Sequence, residues 1–223
     1  RQLMPKSYMK VLLKMGQIES AANVASLWLG EVTSIAELGE SPVVATRTEW
    51  ARRSLPVWEE IAEPVAIAIP RAVSGMLASN APESLKETLG SLSGQMENIS
   101  KGLFRLQLAQ VVGNLAKEVL SGGDIGIPLI QGASEYDVHA MLVAQNIREF
   151  SADLDVPLEE ADIYLAVREV AHARLFRHAR WLRLHLISAI RDFASGISID
   201  SDAIMNLQQD FDPTDTQALQ ELF

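Results

Sequence analysis

The segment Arg168-Glu-Val-Ala-His172 carries the residue types and spacing closest to a reaction centre. It matches the H-E-x-x-H pattern of metal-dependent hydrolysis everywhere except its first position. In that pattern two histidines four apart on a helix aim both imidazoles at one zinc ion. The glutamate beside the first histidine activates the bound water. Here Arg168 stands at the first ligand position, with Glu169 at the general-base position and His172 at the second ligand position. A guanidinium has no lone pair to donate and stays cationic at any working pH, so Arg168 can neither ligate zinc nor favour a cation beside it.

The rest of the chain offers no replacement at standard spacing. The four histidines are His139, His172, His178 and His185, and no two are four apart. His178 and His185 lie about 10 Å apart along a helix, too far to share an ion. Glu169-x-x-His172 also fits the E-x-x-H unit of di-iron bundles, but no other histidine has a glutamate three residues before it. With no cysteines, thiolate metal sites and disulfides are excluded.

The element that positions these side chains is a helix. Asp155-Val-Pro-Leu-Glu-Glu opens it, with proline near the first turn and Glu159, Glu160 and Asp162 near the positive helix end. On a wheel, Ile163, Val167 and Val170 share one face, while Arg168, Glu169 and His172 fall among Leu165, Leu175 and Phe176. A helix apolar around most of its circumference is expected to be buried, and ionisable groups within it need partners. Glu135, Asp137 and Asp153 are the acids expected to pair with Arg168 in the interior, and Glu169 can reach His172 across one turn.

Helical periodicity dominates elsewhere. Helices are expected over 18–38, from Thr48 onward with Pro56 inside or at a break, from Asn80-Ala-Pro-Glu, and over 103–120. Ser121-Gly-Gly-Asp-Ile-Gly-Ile-Pro reads as a loop. It lacks the Gly-Lys-Ser/Thr ending of a phosphate cradle. Val138-His-Ala-Met-Leu-Val-Ala is the best strand, and Asn146 is placed to cap a helix through Phe150. Trp28, Trp50, Trp58 and Trp181 read as core or interface anchors, His139 as an ordinary packed or exposed residue rather than a ligand, and the arginines of 174–191 as partners of acids.

A net charge of −10 argues against nucleic acid and anionic lipid as partners. A 48% hydrophobic content fills a core, and no apolar run reaches membrane-spanning length, Val65–Ile69 being cut off by Pro64 and Pro70. The absence of cysteine and of a signal segment points to the cytoplasm. Residue 1 is Arg and 217–223 read as helix without a stop, so the chain is expected to be a piece of a longer protein.

From Val156 to Leu186 the sequence resembles the zincin-like metallopeptidase type 2 family, bacterial proteins described as hydrolases or zinc-dependent metalloproteases. Leu120-Ser-Gly-Gly-Asp-Ile-Gly-Ile-Pro-Leu and Leu142-Val-Ala-Gln-Asn-Ile-Arg-Glu-Phe carry the same resemblance. It implies a mainly α fold, a zincin-like helical domain with at most a small β element. We expect one such domain over 1–200 and a polar C-terminal segment over 201–223. The resemblance makes Glu169 the catalytic glutamate and His172 the second zinc ligand, with Arg168 departing from the first. The expected function is therefore a catalytically inactive family member, binding no zinc, that holds a protein or peptide partner or stabilises an assembly. Alternatives are a metallopeptidase with non-standard zinc ligands and a plain helical scaffold. Pairing into a homodimer is a further expectation, on the general tendency of helical bodies to self-associate.

Overall fold

The computed structural model describes residues 6–80, 101–132 and 137–195. The expected segment 201–223, Glu135 and Ala81-Pro-Glu lie outside them. The chain divides into two compact units: Arg1–Ile61 with Arg105–Ile190, and Ala62–Phe104 with Arg191–Phe223. The described part of the second unit is helical throughout, over 62–80, 101–104 and 191–195.

In chain order the elements are α1 (Lys6–Val32), β1 (Val43–Ala45), α2 (Arg47–Asn80), α3 (helical over 101–115), β2 (Met141–Val143), α4 (Ala144–Ala152), α5 (Leu158–His178) and α6 (Arg180–Ser195). The chain is mainly α with one small parallel sheet, as the sequence predicts. No described helix is long and apolar enough to cross a membrane.

The first unit is built on α1 packed against α5. Ile18, Ala21, Ala22 and Ala25 recur at helical spacing and meet Leu165, Ala166, Val170 and Ala173 in one buried cluster. Alanines on both surfaces let the two backbones approach closely. Across the sheet lies a second cluster, in which Trp50 and Val57 meet Val112, Ala116, Leu129 and Ile130. Strand β2 separates the two: Leu142 joins the first, whereas Met141 and Val143 join the second, as a period of two requires. It pairs in parallel with β1, Val43 opposite Met141 and Ala45 opposite Val143. Its other edge bridges to Ser121. A strand covered on both faces and both edges reads as an unbroken apolar run, which is how 140–144 looks.

Several boundaries differ from expectation for local reasons. Thr46, not a later residue, starts α2: its hydroxyl accepts the Glu49 amide at 3.2 Å. Pro56, Pro64 and Pro70 all lie inside that helix, and Asn80 is its last described residue. Helix α1 stops at Val32, short of Leu38. Helix α3 ends near 115 because Asn146, buried within α4, donates its amide to the carbonyls of Ala116 and Val119. Asn146 is thus a tie for α3 and not the cap of α4, whose N-cap is Val143. Trp50 is a core anchor as expected, but Trp28 and Trp181 are largely exposed. His139 is paired with Asp137 and Glu40.

Candidate functional site

Helix α5 begins after Pro157 with Glu159 and Glu160 in its first turn and ends with Arg177 and His178, charges matched to the helix dipole at both ends. Asp162 is buried and held by both guanidinium nitrogens of Arg148 at 2.7 Å, which locks α4 onto α5. One turn further along, Leu165, Glu169, Ala173 and Phe176 turn inward. Of Arg168, Glu169 and His172 only Glu169 is buried, at 2% exposure.

Glu169 accepts hydrogen bonds from two different segments. Its Oε1 takes the Met141 amide of β2 at 3.0 Å, and its Oε2 takes the Gly123 amide at 3.1 Å. The Ser121 hydroxyl donates to the same carboxyl. Burial pushes its pKa up from the usual carboxylate value, and the charge of Asp124 adds to this. The donors from Met141, Ser121 and Gly123 pull the other way and do not cancel it.

The 121–126 loop is seated on this helix at close range. A Cβ on Gly122 would lie 2.7 Å from Ile130 Cγ1 and 3.1 Å from Glu169 Oε1. On Gly123 it would lie 2.2 Å from Nδ1 of His172, so only glycine fits there. Gly126, at φ 83°, turns the chain in the left-handed region and returns its amide to the Gly123 carbonyl at 2.9 Å. The Trp50 indole donates to the Ser121 carbonyl at 3.1 Å and pins the loop from the other core.

His172 is half-buried between Gly123 and Phe176, whose ring centroid is 4.8 Å from its own. Its Nε2 is buried without a hydrogen-bond partner among the described residues. Burial lowers its pKa, and the Arg168 charge lowers it further, against a backbone hydrogen bond at Gly126. Glu169 and His172 do not bond each other as the spacing allows; both are met by Gly123.

Arg168 corrects a second expectation. Its side chain is 43% exposed and pairs with Asp124 Oδ1 at 2.5 Å, not with an interior acid. Asp124 Oδ2 meanwhile accepts the Leu120 amide at 3.0 Å, so one aspartate both shapes the loop and fastens it to α5. Asp137 is taken by His139, and Asp153 is exposed where α4 ends. Sequence reasoning named Arg168, Glu169 and His172, which the structure sets against the 121–126 loop, and did not name Ser121, Gly123 and Asp124 as their partners. The only signal for these was the glycine-bracketed Asp in Gly122-Gly-Asp-Ile-Gly126.

As placed here, these side chains do not offer a zinc ion three converging donors. Zinc takes three or four His, Cys, Asp or Glu donors around one point, and no such group of three exists among the described residues. Arg168 holds a fixed positive charge at one ligand position, and Gly123 fills the space against the His172 ring. Both Glu169 oxygens are engaged by backbone amides.

No curated protein and no solved structure matches the sequence. The family model for zincin-like metallopeptidases matches residues 12–223. Nearly the whole chain is covered, the helix bearing Arg-Glu-Val-Ala-His included, so the chain belongs to the zincin-like metallopeptidase family.

Proposed function

We propose that this chain is a non-catalytic member of its family, in which the zinc-motif helix has become a structural clamp and the protein acts by binding a protein or peptide partner. One observation carries this reading. The glutamate at the general-base position accepts backbone amides from Gly123 and Met141, and so joins the 121–126 loop, β2 and α5 at a single buried carboxyl. A general base needs a free lone pair within reach of water and substrate, and these oxygens face the chain's own backbone. The Arg168–Asp124 pair supports the same assignment from outside. The acidic, cysteine-free composition fits a cytoplasmic setting.

Incubating the purified protein with a quenched fluorescent peptide library and added zinc tests the assignment. The expected result is no cleavage above that of a His172→Phe variant. Cleavage that 1,10-phenanthroline abolishes and His172→Phe lacks would establish a working metallopeptidase instead.

A further inference from the structure

Away from the clamp, the junction of α4 and α5 opens a cavity of about 270 Å³. Phe150, Leu154 and Val156 line it from the end of α4 and the turn after it, Ala161, Tyr164 and Leu165 from α5, and Glu160 is its one charged lining residue. Single exposed apolar residues are ordinary on a protein surface, but a contiguous set around a concavity is not. Here Phe150, Leu154, Val156, Leu158 and Tyr164 are all exposed within fifteen residues of chain, Tyr164 at 67%.

The charge of the chain segment that builds this groove has one sign. Between Arg148 and Arg168 the sequence has six acids and no base. Asp162 is neutralised by Arg148 and Glu149 is paired with Arg47, which leaves Asp153, Asp155, Glu159 and Glu160 exposed in the segment that builds the groove, Glu160 in its lining and the other three next to lining residues in sequence. Glu159 and Glu160 also suit the positive end of α5, but Asp153 and Asp155 precede the helix and gain nothing from its dipole.

We infer that this groove binds a cationic amphipathic segment of a partner protein, apolar side chains entering between Phe150, Val156 and Tyr164 while flanking Lys or Arg meet the acidic rim. A second copy of the chain is a poor occupant, because a two-fold pair would set each rim acid against its own kind. Anionic membrane is disfavoured by the same charges. The inference goes beyond the non-catalytic reading and does not depend on it, since none of the lining residues is Ser121, Gly123, Asp124, Arg168, Glu169 or His172.

Fluorescence anisotropy with a labelled Leu/Lys peptide, leucines spaced i, i+3, i+4 and i+7, tests it on the full chain. The expected result is saturable binding that Tyr164→Ser weakens about tenfold without changing the protein's charge. Glu159→Lys with Glu160→Lys weakens it too, and a Leu/Glu peptide does not bind. Tyr164 is exposed enough that its serine variant keeps the parent melting temperature. Equal affinity of Tyr164→Ser and the parent would overturn the inference, reducing binding to generic attraction by an acidic surface. So would a sedimentation dimer that Tyr164→Ser dissociates, or binding to phosphatidylcholine vesicles that it abolishes.

Discussion

Replacing Gly123 by alanine tests the seating of the loop on α5 with the smallest available change. The added methyl would sit 2.2 Å from His172 Nδ1, 2.4 Å from Cε1 and 2.9 Å from Cγ, well inside contact distance of a ring that packs on Phe176. Neither partner yields freely, so the loop moves. Overpacking of this kind costs about 1–3 kcal/mol. Moving the loop also lengthens the bond from the Gly123 amide to Glu169, and a buried donor left poorly satisfied adds about 1–3 kcal/mol. A total near 3 kcal/mol lowers the melting temperature of a domain this size by about 6–12 °C. Urea unfolding followed by circular dichroism reads it directly. Gly16→Ala, inside α1 with open space around it, is the control and should be neutral or slightly stabilising. In a double-mutant cycle His172→Ala should recover much of the loss, because it removes the atoms the methyl meets. A Gly123→Ala protein as stable as the parent would refute the seating.

The remaining expectations concern the three motif side chains. Glu169→Gln places an amide N–H₂ where an acceptor is required, so either the Met141 or the Gly123 amide faces a donor; a loss of about 2 kcal/mol in urea unfolding is expected. Arg168→Ala, at a half-exposed ion pair, should cost about 0.5–1 kcal/mol. Asp124→Ala should cost more, because the Leu120 amide also loses its acceptor. Burial lowers the His172 pKa, so on acidification the unfolded chain takes up a proton at this residue before the folded one does. Its contribution to stability is therefore present above the ordinary histidine value of 6.5 and is lost as pH falls from there toward the lowered folded value. His172→Phe should flatten the stability–pH curve in that window, and an unchanged slope would contradict the burial.

Helix α5 and its motif were legible because local chemistry marks them: Pro157 at the start, acids in the first turn, Arg177 and His178 in the last. The small sheet was only half legible. Its β2 strand is a run of apolar residues, but β1 is three residues long and its partner lies almost a hundred positions away, a pairing that only tertiary structure sets. The wheel placed Glu169 correctly among inward residues and misjudged Arg168, which lies at the edge of the buried stripe and reaches solvent. The loop glycines carried the least signal. A glycine required by close approach looks the same in sequence as one in any turn, and nothing local to Gly123 names His172 as its neighbour. Asp124 was missed for the same reason: forty-four residues separate it from Arg168.

Whether α5 is a clamp or a catalytic metal helix is decided most directly by titrating zinc into the metal-free protein by calorimetry, with the parent and His172→Ala side by side. Binding that is absent, or weak and identical in the two proteins, is the predicted result, because Arg168, Glu169 and His172 are committed to Asp124, the backbone and Gly123. One equivalent of tightly bound zinc in the parent, lost in His172→Ala, would contradict it.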